Sequence, residues 1–216
     1  MDRRLPIYLL VDSSGSMRGE PIHSVNVGLN AMLTALRQDP YALETVHISL
    51  ITFDNRINEL VPLQALETAT IEDIQLPDSG ATHLGEALNL VCDRVQRDVR
   101  VSKEGQKGDF RPMLFVMTDG SPSDLLEFKN ACQRLKTMSF SQIIACAAGP
   151  KAKSDELKKF ATTTVSLETM DSNGFASFFQ WVSASIATSA SGQQDNGSDS
   201  ASISLPPPPA EVQVVI

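Results

Sequence analysis

Directly behind an apolar run, the chain places an acid and a cluster of hydroxyls: "YLLVDSSGSM", residues 8–17. Asp12, Ser14 and Ser16 alternate along this stretch, with Gly15 available to turn the backbone so that both hydroxyls point the same way. A second apolar run, "PMLFVMTDG" (112–120), also ends at an acid, Asp119. A further hydroxyl, Thr82, lies in "DSGATHLGEAL" (78–88), where a loop enters a helix. Two carboxylates and three neutral hydroxyls form an all-oxygen set, which suits a hard divalent cation better than zinc. Magnesium keeps its waters and uses few carboxylates, so Mg²⁺ fits better than Ca²⁺, with Mn²⁺ as a close substitute. Two bare carboxylates brought together would repel, and a cation between them relieves that. Singly, each piece has an ordinary explanation as a helix cap or a turn. Their joint position behind apolar runs is what points to a site.

The elements that must hold these residues follow from the apolar periodicity. "PIYLLV" (6–11) is continuously apolar, as a strand covered on both faces would be. Ile22, Val25, Leu29, Met32, Leu33 and Leu36 recur at helical steps, with Pro21 suited to a first turn. "VHISLITF" (46–53) is a second strand; after the turn "DNR", "INELVPL" reads as an antiparallel edge strand, because Pro62 cannot donate to a central ladder. Helices are predicted around 84–99, 125–135, 154–160 and 175–186, with strands at 112–120, "QIIACAAG" (142–149) and "TTVSLE" (163–168). The charged excursion "VRVSKEGQKGDFR" reads as a mobile loop. Alternating strands and helices imply a Rossmann-like, doubly wound, mostly parallel sheet with helices on both faces. In such sheets ligands sit beyond the carboxyl ends of the strands where the order reverses. If the strands ending at Asp12 and Asp119 are neighbours, about 5 Å apart, both acids face one crevice.

The set "DSSGS", "SGATHLGEAL" and "MTDGSPSD" resembles the metal-ion-dependent adhesion site (MIDAS) of von Willebrand factor A (VWA) domains, and the resemblance spans residues 5 to about 187. Within that family the chain looks most like the small bacterial proteins associated with tellurite resistance, of the TerY type. The resemblance implies a six-stranded sheet with one antiparallel edge strand. It implies direct coordination by Ser14, Ser16 and Thr82, with Asp12 and Asp119 acting mainly through water. It also implies an open coordination position that draws Asp or Glu from a partner protein, giving a non-enzymatic, metal-dependent interaction module. The implied role is a phosphorylation-linked stress-response adaptor, with a protein kinase and a protein phosphatase encoded nearby as partners.

Other features bound the function. Lys and Arg total 18 against 26 Asp and Glu, a net charge of −8, which argues against nucleic acid because phosphate contacts need clustered cations. Cys92, Cys132 and Cys146 lie among apolar residues with no disulfide or zinc spacing, which indicates a reducing compartment. Arg3 and Arg4 precede an apolar run too short for an export signal, and no stretch is long enough to span a bilayer, so the expectation is cytoplasmic. Nothing matches a glycine-rich nucleotide loop or a serine-nucleophile elbow. The competing enzymatic reading is a metal-dependent phosphohydrolase using Asp12. His83 is left outside the site as a loop residue at a helix start. The domain is placed at 1–188. Residues 189–216 are read as a disordered Ser/Pro-rich tail that cannot fold alone, with "LPPPPAEVQVVI" as a segment able to dock to another protein.

Overall fold

The computed structural model describes residues 3–76, 80–150, 152–196 and 205–215. Its centre is a seven-stranded sheet in the order β3-β2-β1-β4-β5-β6-β7. The strands are β1 (Leu5–Asp12), β2 (Val46–Phe53), β3 (Ile57–Ala65), β4 (Met113–Thr118), β5 (Gln142–Ala148), β6 (Thr163–Leu167) and β7 (Val212–Val214). Strands β2, β1, β4, β5 and β6 run parallel, while β3 and β7 pair antiparallel at the two edges. The helices are α1 (Glu20–Gln38), α2 (Pro40–Thr45), α3 (Leu84–Asp98), α4 (Leu125–Lys136), α5 (Ser154–Leu157) and α6 (Ser172–Asn196).

The doubly wound arrangement follows from β1. All eight of its residues are buried, because it lies between β2 and β4 with helices on both sides. Leu5, Ile7, Leu9 and Val11 pack in one core with α1 and α6, while Tyr8 and Leu10 pack in the other with α3 and α4. That alternation is the period of a strand, and both phases of it are apolar. Pro21 sits in the first turn of α1 as the sequence implied. The edge position of β3 likewise agrees with Pro62.

Two expectations need correction. The sheet has seven strands where six were expected, because Val212–Val214, inside the segment read as a disordered tail, pairs with β6. By composition this stretch lacks the apolar surface to fold alone; here it adds to an edge that already exists and buries Val212 there. Helix α6 also runs past residue 188 to Asn196. The hydroxyls of Ser185 and Ser189 donate to the carbonyls of Trp181 and Ser185 one turn earlier, so a serine-rich stretch remains helical and buried. The part of the tail between residues 197 and 204 lies outside the described residues. The excursion after α3 is tied at its base: Asp109 N donates to Arg100 O, and Asp109 accepts from Arg100 N. Among the described residues no helix is long and apolar enough to cross a membrane.

Candidate metal site

The strand order reverses between β1 and β4: β1 connects outward through α1 and α2 to β2 on one side, and the chain resumes at β4 on the other. Val11 lies opposite Met117, so Asp12 and Thr118 leave the sheet side by side and Asp119 follows at once. Asp12 is fully buried and Asp119 is 4 % exposed. The two carboxylates converge through the serine loop. Ser16 Oγ donates to Asp119 Oδ1 at 2.9 Å, and Ser14 Oγ lies 3.2 Å from Ser16 Oγ. Ser14 N donates to Asp12 Oδ1 at 2.8 Å, and Thr118 Oγ1 donates to Asp12 Oδ2 at 2.5 Å. Asp12, Ser14, Ser16 and Asp119 thus form one continuous polar chain that grades from buried Asp12 to exposed Ser16.

Thr82 joins from the third loop. Its Oγ1 would lie 3.1 Å from a Cβ placed on Gly120, so its hydroxyl faces the backbone next to Asp119. Its carbonyl accepts from both Ser123 N and Ser123 Oγ at 2.9 Å. The next residue, Asp124, accepts from Gly85 N at 3.1 Å and Glu86 N at 2.8 Å, capping α3 from a different segment. On the other flank, Ser13 Oγ donates to Asp54 Oδ2, and His83 N donates to Asp54 O. His83 Nδ1 is 3.5 Å from the Glu86 carboxylate, on the side of the helix start.

The five residues singled out in the sequence therefore meet at one end of the sheet. Gly15 turns the backbone as expected, bringing the Ser14 and Ser16 hydroxyls together. It opens a 3-10 turn, Gly15–Met17, with no positive φ; the positive φ of this loop falls at Gly19. Sequence reasoning missed Thr118, Ser123 and Asp124 as supports. All three stand inside the quoted "MTDGSPSD", but their partners lie across the sheet or on another loop, and no spacing reveals that.

The electrostatics favour a cation. Burial pushes the Asp12 carboxyl up to about 6, against the lowering hydrogen bonds from Thr118 and Ser14, and the nearby Asp119 charge adds to the rise. A positive ion would remove both penalties. No group of three His, Cys, Asp or Glu capable of holding a metal occurs among the described residues. A metal at this place would have to rely on hydroxyls, and the donor set fits a hard ion with retained waters.

The comparisons with known proteins agree with this geometry. Residues 7–180 match the von Willebrand factor type A domain, and the chain belongs to that family. No curated protein matches it in sequence. Among solved structures it is similar to proximal thread matrix protein 1 from the mussel byssus, with 17 % identity and a TM-score of 0.62 over 86 % of this chain and 48 % of that one. Another structure of that mussel protein, described as having a zinc-occupied MIDAS motif, shows 16 % identity and a TM-score of 0.60 over 86 % and 48 %. The ArnB paralog VWA2 from Sulfolobus acidocaldarius shows 14 % identity and a TM-score of 0.58 over 85 % and 45 %. A von Willebrand factor type A protein from Catenulispora acidiphila shows 14 % identity and a TM-score of 0.65 over 86 % and 43 %. The chain spans about half the length of these structures or somewhat less. Likeness at such identities concerns the fold.

Proposed function

We propose that this chain is a divalent-metal-dependent protein-binding module in which Asp12, Ser14, Ser16, Thr82 and Asp119 hold Mg²⁺, with Mn²⁺ or Ca²⁺ as substitutes. The observation that carries the reading is the continuous polar chain from buried Asp12 through Ser14 and Ser16 to Asp119. When bound, the ion supplies a Lewis-acidic position that attracts an Asp or Glu carboxylate of a partner. The protein's own contribution is to gather the donors, keep Asp12 out of water and leave the Ser16 side open. The mussel protein described as having a zinc-occupied MIDAS motif, which shares this fold, supports the reading of a metal site.

The phosphohydrolase reading is weaker on a specific ground. Both Asp12 oxygens accept bonds from neutral donors, and the side chain is fully buried, which places it poorly for attack on a phosphate. We assign the chain no catalytic role. Three buried free cysteines favour a reducing, cytoplasmic setting. A tellurite-resistance or stress-response adaptor of the TerY type, docking to a kinase and a phosphatase, is the narrower reading that the sequence resemblance favours.

Calorimetric titration of the full chain with Mg²⁺ and Mn²⁺ tests the site. Binding should be lost at least 100-fold in Asp119→Ala and in the Ser14→Ala, Ser16→Ala double variant, with the circular dichroism spectrum unchanged. Equal affinity in the wild type and both variants would refute the site. Capture of a kinase or phosphatase from a cytoplasmic extract should then need Mg²⁺ and fail with chelator. Mg²⁺-dependent turnover of p-nitrophenyl phosphate that disappears in Asp12→Ala would revive the enzymatic alternative.

A further inference from the structure

We propose that the outer edge of β6, which β7 covers, forms with Trp181 a peptide-binding groove for a proline-rich segment leading into a short apolar strand. Residues 205–215 are its detachable resident. The site is separate from the metal, since β5 lies between β4 and β6 in the sheet.

The groove has three kinds of recognition. The indole Nε1 of Trp181 donates to Pro206 O at 2.8 Å, reading a carbonyl at the start of the proline run, and Phe178 stands beside the indole. Leu205 packs against the apolar core, and Val212 is buried at 2 % exposure. Between and beyond these anchors the backbone supplies the rest. Val165, Ser166 and Leu167 pair with Val214, Gln213 and Val212, Val215 N donates to Thr164 O at 2.8 Å, and Gln213 Nε2 reaches Glu168. An extended proline stretch followed by strand addition is a recurrent mode of peptide recognition, in which the main chain gives affinity and alternate side chains give selectivity.

Three observations make the resident exchangeable. Its strand is only three residues long, with one further backbone bond from Val215 N. Of that strand, Val212 is buried, while Gln213 and Val214 face solvent. The family match spans residues 7–180, so the segment from Leu205 onward lies outside the part that the family shares. A partner presenting the same chemistry, Leu-Pro followed by prolines and an apolar-x-apolar strand, would displace the chain's own segment and take over the sheet edge.

The test uses the full chain and a fluorescein-labelled peptide, LPPPPAEVQVVI, with a scrambled peptide as control. Val212→Asp disables the resident segment, so this variant should bind the labelled peptide at least ten-fold more tightly than wild type. Its single tryptophan should also emit at longer wavelength until peptide is added. Adding Trp181→Phe should weaken the peptide at least five-fold. Equal binding by wild type and Val212→Asp, or equal binding of the scrambled peptide, would overturn the proposal. Hydrogen exchange on the wild-type chain gives a readout that needs no variant. Amides of residues 212–215 should exchange at least 100-fold faster than those of β5, and equal protection would mark the strand as a fixed part of the fold.

Discussion

Thr118 shows how much the site depends on one hydroxyl. It is fully buried, and its Oγ1 donates to Asp12 Oδ2 while accepting from Gly120 N at 3.2 Å, so it joins the acid of β1 to the loop after β4. Thr118→Val keeps the shape and removes both bonds. Leaving a buried carboxylate oxygen without its donor costs about 1–3 kcal/mol. Urea unfolding at neutral pH should register a loss of that size, and metal affinity should fall with it. Asp12, Ser14 and Ser16 were legible because their spacing is local to one strand end. The role of Thr118 was hidden because it depends on the register of two strands more than a hundred residues apart. Asp124 was hidden for the same reason, since it acts on the start of α3, well upstream in the chain.

At the level of elements, the contact between α3 and α4 positions the Thr82 loop against the Asp119 loop. It is made by close backbone approach: a Cβ on Gly85 would lie 2.1 Å from Phe128 N and 2.5 Å from Glu127 C. These are main-chain atoms that cannot rotate away, so Gly85→Ala must push the helices apart. Overpacking of this kind costs about 1–3 kcal/mol or more. Thermal unfolding should show a clear drop for Gly85→Ala and little change for Gly192→Ala, where a Cβ meets nothing within 4 Å. The strands and helices of the domain could be read from apolar period because each buries its own face. β7 could not be read that way. Its stability lies in the edge it joins, and a three-residue strand carries too little pattern of its own.

Across the whole molecule, the acidic end of the sheet at Asp12 and Asp119 is balanced by an arginine clamp at the other end. Arg4 Nη2 meets Asp109 Oδ2 at 2.5 Å and its Nε lies 3.0 Å from Asp109 Oδ1, while the Arg3 guanidinium sits 4.0 Å over the Phe110 ring. Burial alone would push the Asp109 carboxyl up. The Arg4 guanidinium and the Arg100 N–H outweigh it and hold the group below its ordinary value. A carboxyl lowered by folding contributes stability above its unfolded value, and that contribution is lost as pH falls through the folded value. Asp109→Asn should therefore be less stable than wild type at pH 7 by about 2 kcal/mol. The gap should narrow as pH falls below about 4, as paired denaturation curves at pH 7 and pH 3 would show.

The tie of Ser123 to Thr82, and of Asp124 to the start of α3, carries a consequence for the proposed metal site. These bonds stitch the loops together through the protein's own atoms, so under the proposed function an ion would have little left to order. On that proposal, an ion would change mainly a small area of outward-facing surface, from an electronegative dimple to an electrophilic one. On the proposed function, partner capture would then follow ion supply without a folding step.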